Sequence, residues 1–548
     1  MTRNFFIQIS IACLLLTTGC SLDLVPPNDL SDEVFWQTDR DFQQATNYLY
    51  RKIYLPDNNH QSYPIGMDLM SDNAVANPVD NISNGSYLPS SDFGPWGRDY
   101  GIIRDANNVM EHVTSFTGPN AKRYMAEAKF FRAYAYHELV SRYGDVPLVL
   151  KTLDTDSKEL YAPRNPRSEV VAQIYKDLDE AAADLPLNSQ LNMGTDYGRV
   201  TRGAALAFKS RVALREGTWN KFHQAGDYIF HLQTAKDAAL AVMNSREYGL
   251  FTKFGTESFK MLFKLAGEGP SNKEPIWVYP YGPDDPALTI RNNYFQSFAS
   301  QGDFAFTRSL VVDFLCIDGL PIDQSPLYQG EVSSESVFIN RDLRLSGTVV
   351  KKGDPFRGGV PYIPTLTART GYMMYKYFDS VGAGMVSGTV DFQFIRYGEV
   401  LLNYAEATYE LTNSITDADL NLSINLLRDR AGVAHLTNGF VADHNLNMQR
   451  EIRRERRVEL ALEGFRYDDL LRWKIAEVEL PKPLLGVKFI NGEYGNVSAS
   501  NLNLTPEGYI IVEPASQRSF DASKHYLWPL PLNQLAMNPN LTQNPNWK

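Results

Sequence analysis

The stretch EIRRERRVELALEGFRYDDLLRW, residues 451–473, decides the reading of this chain. Glu451, Glu455, Glu459 and Glu463 recur every four residues, so on a helix they form a stripe drifting slowly around the axis. Like charges at that spacing repel by ~0.2–0.5 kcal/mol per pair, and something must offset the cost. Arg453, Arg454, Arg456 and Arg457 flank the stripe or serve neighbouring helices. Between Arg450 and Lys474 eight basic residues face six acidic ones, a net of +2. The run is a nearly balanced Arg–Glu lattice, not a nucleic-acid patch. The planar guanidinium fork grips carboxylates bidentately, which suits tying helices together.

Working outward, apolar residues recur at three- and four-residue steps over 38–54, 99–113, 120–142, 168–185, 201–216 and 234–244, and again over 397–411, 417–431 and 447–463. Each segment predicts a helix. Ser168 is the expected N-cap of the fourth, and Gly144 and Pro147 stop the third. Small residues alternate with large ones (Ala126, Phe130, Ala133; Ala204, Ala207, Phe208), a pattern that packs helix pairs closely, as in tetratricopeptide repeats, although the strict 34-residue signature of those repeats is not met. Between residues 249 and 391 Gly and Pro become frequent, and 276–279 and 347–350 read as short strands. From residue 480 the chain is irregular again. Helical and irregular stretches interleave, which predicts one compact, predominantly α unit.

At 548 residues, 43% hydrophobic and 21% charged, the chain has ample material for a core. The formal charge of −11 argues against wrapping nucleic acid. Tyr (30) and Phe (29) far outnumber Trp (7). Tyr joins an apolar face to a polar tip, so this usage suits a polar-ligand surface and equally a large helical core.

The N-terminus reads as an address. Arg3 precedes an apolar run over residues 5–16, too short to span a bilayer, and then come Thr17, Thr18, Gly19 and Cys20. Small residues before a Cys resemble a bacterial lipoprotein processing site. That resemblance implies a signal peptide over 1–19, acylation of Cys20 by palmitate-type chains, and a tether over 20–30 stiffened by Pro26 and Pro27. Cys316 is then the single thiol outside the N-terminal segment, so neither a disulfide framework nor a Cys-based metal site is expected.

Enzyme signatures are missing. The eight histidines show no metal-ligand spacing, and no Gly-x-Ser-x-Gly elbow, Walker loop or dinucleotide fingerprint occurs. Paired carboxylates for glycoside hydrolysis meet in space and leave no motif. Asp154 and Asp156 read as a solvated turn rather than a calcium loop. No catalytic residue, metal or cofactor is expected.

Several segments together resemble the SusD/RagB family of outer-membrane lipoproteins. Beside 451–473 these are Arg132-Ala133-Tyr134 with 143–148 (YGDVPL), 340–345 (NRDLRL), 395–402 (IRYGEVLL) with Ala405-Glu406-Ala407, 427–432 (LRDRAG), 527–531 (LWPLP) and 543–547 (QNPNW). Leu343 stands where the family more often has Pro. The resemblance covers nearly the whole chain after the signal. It implies about eight helices in tetratricopeptide-like pairs supporting an irregular, ligand-facing half. Residues 31–248 would form the N-terminal helical region, and 249–548 the C-terminal region packed with it as one unit. It further implies an anchored protein facing the exterior of the outer membrane. There it would act as a lid on a SusC-like TonB-dependent transporter and capture oligosaccharides or, in some members, peptides.

Sugars present C–H faces to aromatic rings and hydroxyl rims to polar side chains. Trp96 is the first expected platform, with Arg98 beside it; the alternative is that Trp96 anchors its helix in the core. Tyr294 and Phe295 come second, with Arg291 and Asn293. Trp277, in an expected strand, reads as core. The family's binding residues vary with ligand, so none of these is carried over by motif.

Overall fold

The structure, a computed structural model, describes residues 35–53, 65–281, 302, 304–380 and 388–548. Ten helices of at least seven residues lie among them. Helix α1 (Asp39–Lys52) opens on a Thr38 N-cap whose capping box closes through Asp41. Then follow α2 (Trp96–Val113), α3 (Ala121–Tyr143), α4 (Arg167–Asp184), α5 (Arg202–His223) and α6 (Tyr228–Ser245). After the irregular region come α7 (Tyr397–Thr412), α8 (Ile424–Ala431), α9 (Met448–Glu459) and α10 (Arg466–Arg472). From α1 to α7 each helix packs on the next, so the array is continuous across the long insertion between α6 and α7. Gly217 makes the α5–α6 contact close, since a Cβ there would lie 2.7 Å from the Leu232 side chain.

The helical character and repeat-like stacking agree with the sequence reading, and the differences have local causes. Helix α4 starts at Arg167 behind Pro166, so Ser168 lies inside it and caps nothing. Helix α5 runs through to His223, and α6 begins at Tyr228, where the Asp227 side chain accepts from the Phe230 N–H. The segment 417–431 is broken: buried Ser423 (φ −136°, ψ −91°) separates Asp417–Asn421 from α8. Residues 347–350 form no strand, because 343–348 make a short helix.

Two antiparallel pairs serve the irregular half. Strand β1 (Pro275–Tyr279) pairs with β2 (Phe392–Arg396), and β3 (Leu484–Lys488) pairs with β4 (Tyr509–Glu513). Ala74–Val75, Ala305–Phe306 and Tyr372–Met373 build a three-stranded patch. One large apolar cluster joins the two halves: Phe131 of α3, Trp277 of β1, Phe394 of β2 and Trp528 of the tail all belong to it.

The acidic stripe sits at the centre of the molecule. Helix α9 stops at Glu459, and the chain turns through left-handed Leu462 and Gly464, so Glu463 lies past the helix end. All four glutamates are buried. Glu459 accepts from Arg344 (2.9 Å), Arg396 (2.6 Å) and Arg430 (2.5 Å). Glu455 holds Arg344 and Arg428, and Glu463 holds Arg396 and Lys376. Glu274, next to β1, closes the lattice on Arg396 and Arg430. Segments 340–345, 395–402 and 427–432, far apart in the chain, thus meet on one helix. The repulsion along the stripe is offset by arginines from other elements, as the charge pattern required.

Candidate functional site

Trp96 is not a platform. It is 5% exposed, its ring stands edge-on to Tyr143 at 5.1 Å and tilts against Tyr100. The cause is the preceding turn. Gly94 (φ +71°) brings the backbone so close that a Cβ would lie 2.5 Å from the Tyr143 hydroxyl and 2.9 Å from Trp528. The corner is a packing joint, sealed where the Tyr143 hydroxyl donates to the Phe93 carbonyl. Arg98 is bound into the same joint, with Nε and Nη2 donating to Asp99. Burial pushes the Asp99 carboxyl up to about 7. Arg291, Asn293, Tyr294 and Phe295 lie outside the described residues, as does Cys20. Trp277 is core, stacked on Phe394 at 4.6 Å.

The described residues bring a different aromatic group to the surface, where β1 ends and the chain runs on toward residues 291–295. Tyr279 closes β1 and is half-buried, with Tyr281 beside it at 5.2 Å. A register shift between Trp277 and Val278 interrupts the pairing just before the strand ends, and Tyr279 packs at the edge of the core. The loop before α5 packs here: Gly198 (φ +84°) approaches Pro280 so closely that a Cβ would lie 2.8 Å from its ring. That contact places half-buried Tyr197 and Arg199 next to β1. From α1, Tyr50 accepts from the Val200 N–H and Asn47 accepts from Arg199. Tyr48, the next residue of α1, is exposed, with Lys52 over its ring, and lies outside this groove. Asn188, Tyr197, Arg199 and Asn272 line a shallow groove against Pro275 and Val278.

Two carboxylates clip this face together. Asp391 accepts from the Tyr197 hydroxyl (2.6 Å) and the Tyr281 N–H (2.8 Å), while Glu268 accepts from the Asp391 N–H (2.7 Å). Burial raises Asp391 to about 6. Burial and the neighbouring Asp391 raise Glu268 to about 8. Burial also lifts the Tyr279 phenol to about 12, so it is a neutral donor and acceptor at physiological pH. Both Asp391 oxygens are engaged, so it acts as a bracket between Tyr197 and Tyr281. The surface therefore carries rings beside polar side chains, of which Arg199 is held by Glu127 and Asn47, and Asn272 by Gly267 and Glu274. The high Tyr content was the only trace of it in the sequence. The strand irregularity beside Tyr279 and the Gly198 contact that recruits Tyr197 are both tertiary.

Among the described residues no group of three or more His, Cys, Asp or Glu is arranged to hold a metal, and no helix is long and apolar enough to cross a membrane. Asp154 and Asp156 are exposed, in a turn closed by Ser157.

With fold and surface in place, comparison with known proteins is direct. Residues 273–547 match the family model described as the SusD family, and residues 22–214 match one described as starch-binding associating with outer membrane. The chain is 26% identical to SusD-like protein P2 of Formosa agariphila, over 98% of each chain. It is 24% identical to a SusD-like protein of Bacteroides ovatus, over 84% of this chain and 80% of the other. A crystal structure of a SusD-like carbohydrate binding protein from Bacteroides fragilis superposes with a TM-score of 0.78 at 25% identity, covering 93% of this chain and all of that one. The surface glycan-binding protein A of Bacteroides fluxus shares the fold at TM-score 0.61 and 20% identity. Stacked helices carrying an irregular half are the fold this chain shares with these structures. The chain belongs to the SusD family.

Proposed function

We propose that this protein is a cell-surface glycan-binding lipoprotein. It captures oligosaccharides and passes them, chemically unchanged, to a SusC-like TonB-dependent outer-membrane transporter for which it acts as a lid. The observation that carries the reading is the surface at the end of β1, where half-buried Tyr279 follows directly on Val278 in a groove wall shared with Tyr197, Asn188, Arg199 and Asn272. Rings for sugar C–H faces and amides for hydroxyl rims occur there together. Family membership supports the reading, as does the similarity to a protein described as carbohydrate binding. The Asp391–Glu268 pair supports a non-catalytic role, since its hydrogen bonds hold the surface together. Acylation of Cys20 would supply the anchor.

A panel of oligosaccharides and peptides titrated calorimetrically into the protein, with chromatography of the recovered ligand, tests this. Saturable binding of a saccharide recovered intact is expected, together with co-purification of a β-barrel from native membranes. Binding of peptides alone would favour the same scaffold as a peptide importer. A cleaved saccharide would overturn the non-catalytic reading.

A further inference from the structure

The arginines of α9 do more than neutralise glutamates. Arg450, Arg453, Arg454 and Arg457 follow the spacing i, i+3, i+4, i+7 and so share one helix face. That face forms one wall of a cleft of about 570 Å³, to which Arg466 and Lys482 also contribute. Small-molecule sites run from roughly 300 to 1,000 Å³. Six cations line this cleft against two carboxylates, Asp313 and Glu479, on a chain whose overall charge is −11.

The hydrogen bonds divide these cations into two sets. Arg457 and Arg466 at the floor are fully committed. Arg457 reaches Asp72, Asn73, Ser309 and Asp313, and Arg466 grips Asp72 through two nitrogens. The others are barely used. Arg453 donates one bond, to Glu410, at 3.4 Å. Arg454 donates one, to Asp313, also at 3.4 Å, with Glu451 3.3 Å from its Nε. Arg450 is exposed and makes no ion pair among the described residues. Lys482, also lining the cleft, is exposed and holds only half-buried Glu479. A guanidinium presents five donors in a fixed plane, and its best complements are oxyanions that accept two at once. The lattice that fixes α9 thus leaves three underused forks, at Arg450, Arg453 and Arg454, along one side of a cleft.

We propose that this cleft binds the sulfate or phosphate group of a small soluble ligand, in contact with Arg450, Arg453, Arg454 and Lys482. It is built from α9, α10, the segments flanking them and the short helix Arg308–Asp313, and shares no residue with the tyrosine face. The proposal therefore does not depend on which neutral glycan that face takes.

Calorimetric titration at low salt tests it with three probes: inorganic pyrophosphate, a trisulfated disaccharide, and the same disaccharide without sulfate. The expected result is saturable binding of the sulfated sugar, at least tenfold tighter than its desulfated counterpart and weakened by salt. Pyrophosphate binding without preference for the sugar would support a free-anion site, and preference for the sulfated sugar a site for an esterified one. Arg450→Gln with Lys482→Gln removes two exposed side chains that hold no buried contact. This pair should leave thermal unfolding unchanged and reduce binding at least tenfold, while Arg450→Lys retains most of it. Tyr279→Ala should leave this binding intact, which separates it from glycan capture. Failure of both anionic probes to bind, equal binding of sulfated and desulfated sugar, or binding unaffected by the double variant would overturn the proposal.

Discussion

At the scale of single residues the molecule is governed by where charge is buried. Glu459 is the extreme case: a fully buried carboxylate with three arginines on it, from the 340–345 segment, the end of β2 and α8. Those arginines hold its carboxyl well below the usual range. Removing one partner from a buried ionic network strands the others, at a cost of ~3–5 kcal/mol. Glu459→Gln is therefore expected to lower the unfolding free energy from urea titration by an amount in that range. An exposed control such as Glu335→Gln, whose partner is the exposed Lys352, should leave it nearly unchanged. The buried carboxylates also set the pH dependence, in two directions. Glu459, Glu463 and Glu406 are depressed by their arginines, Glu406 to about 2. Their contribution is present above the unfolded value near 4.5 and is lost as pH falls through their folded values. Asp99, Asp391 and Glu268 are raised by burial to about 7, 6 and 8. Their folded forms keep protons that the unfolded chain has released, so stability declines as pH rises from about 4 to 8. Burial lowers His137, His223 and His525, which oppose that decline between about pH 4 and 6.5, so the decisive feature is the acid limb: the thermal midpoint should fall steeply from about pH 4 toward pH 2. A midpoint unchanged from pH 5 to 2 would contradict the assignment.

At the scale of elements, what the sequence discloses is whatever repeats locally. Helix positions follow from three- and four-residue apolar steps, and the glutamate stripe from its own spacing. The identity of the stripe's partners does not, because Arg344, Arg396 and Arg430 lie 115, 63 and 29 residues away. For the same reason the sequence leaves Trp96 open between platform and core. Nothing near it in sequence says that Trp528 and Tyr143 close over the Gly94 turn, which decides for the core. Tyr279 has no local signal either, because its surroundings come from the strand irregularity and from the loop around Gly198. The element most exposed to test is the contact between the α5-leading loop and the end of β1. Gly198→Ala adds a Cβ to a left-handed residue 2.8 Å from the Pro280 ring. Strain of this kind costs ~1–3 kcal/mol. The change should displace Tyr197 from Asp391 and weaken ligand binding more than it shifts the denaturation midpoint. Unaltered affinity would place the binding surface elsewhere.

At the scale of the whole molecule, the helical array and the irregular half share one apolar cluster. Phe131, Trp277, Phe394 and Trp528 share a core, and the Arg–Glu lattice ties α9 to β2 and α8. A rigid body with a variable surface suits capture, because affinity then owes little to ordering the protein itself. The tyrosine face stands on that body at the join of α1, the α5-leading loop and β1. Asp391 ties Tyr197 and Tyr281 together there. The most direct measurement is a paired calorimetric titration of the best-binding oligosaccharide into the wild-type protein and the Tyr197→Ala/Tyr279→Ala variant, with unfolding curves to show that both are folded. Stacking of a sugar on these rings predicts at least a tenfold loss of affinity in a variant that unfolds normally. Undiminished saccharide binding by that folded variant would contradict the account.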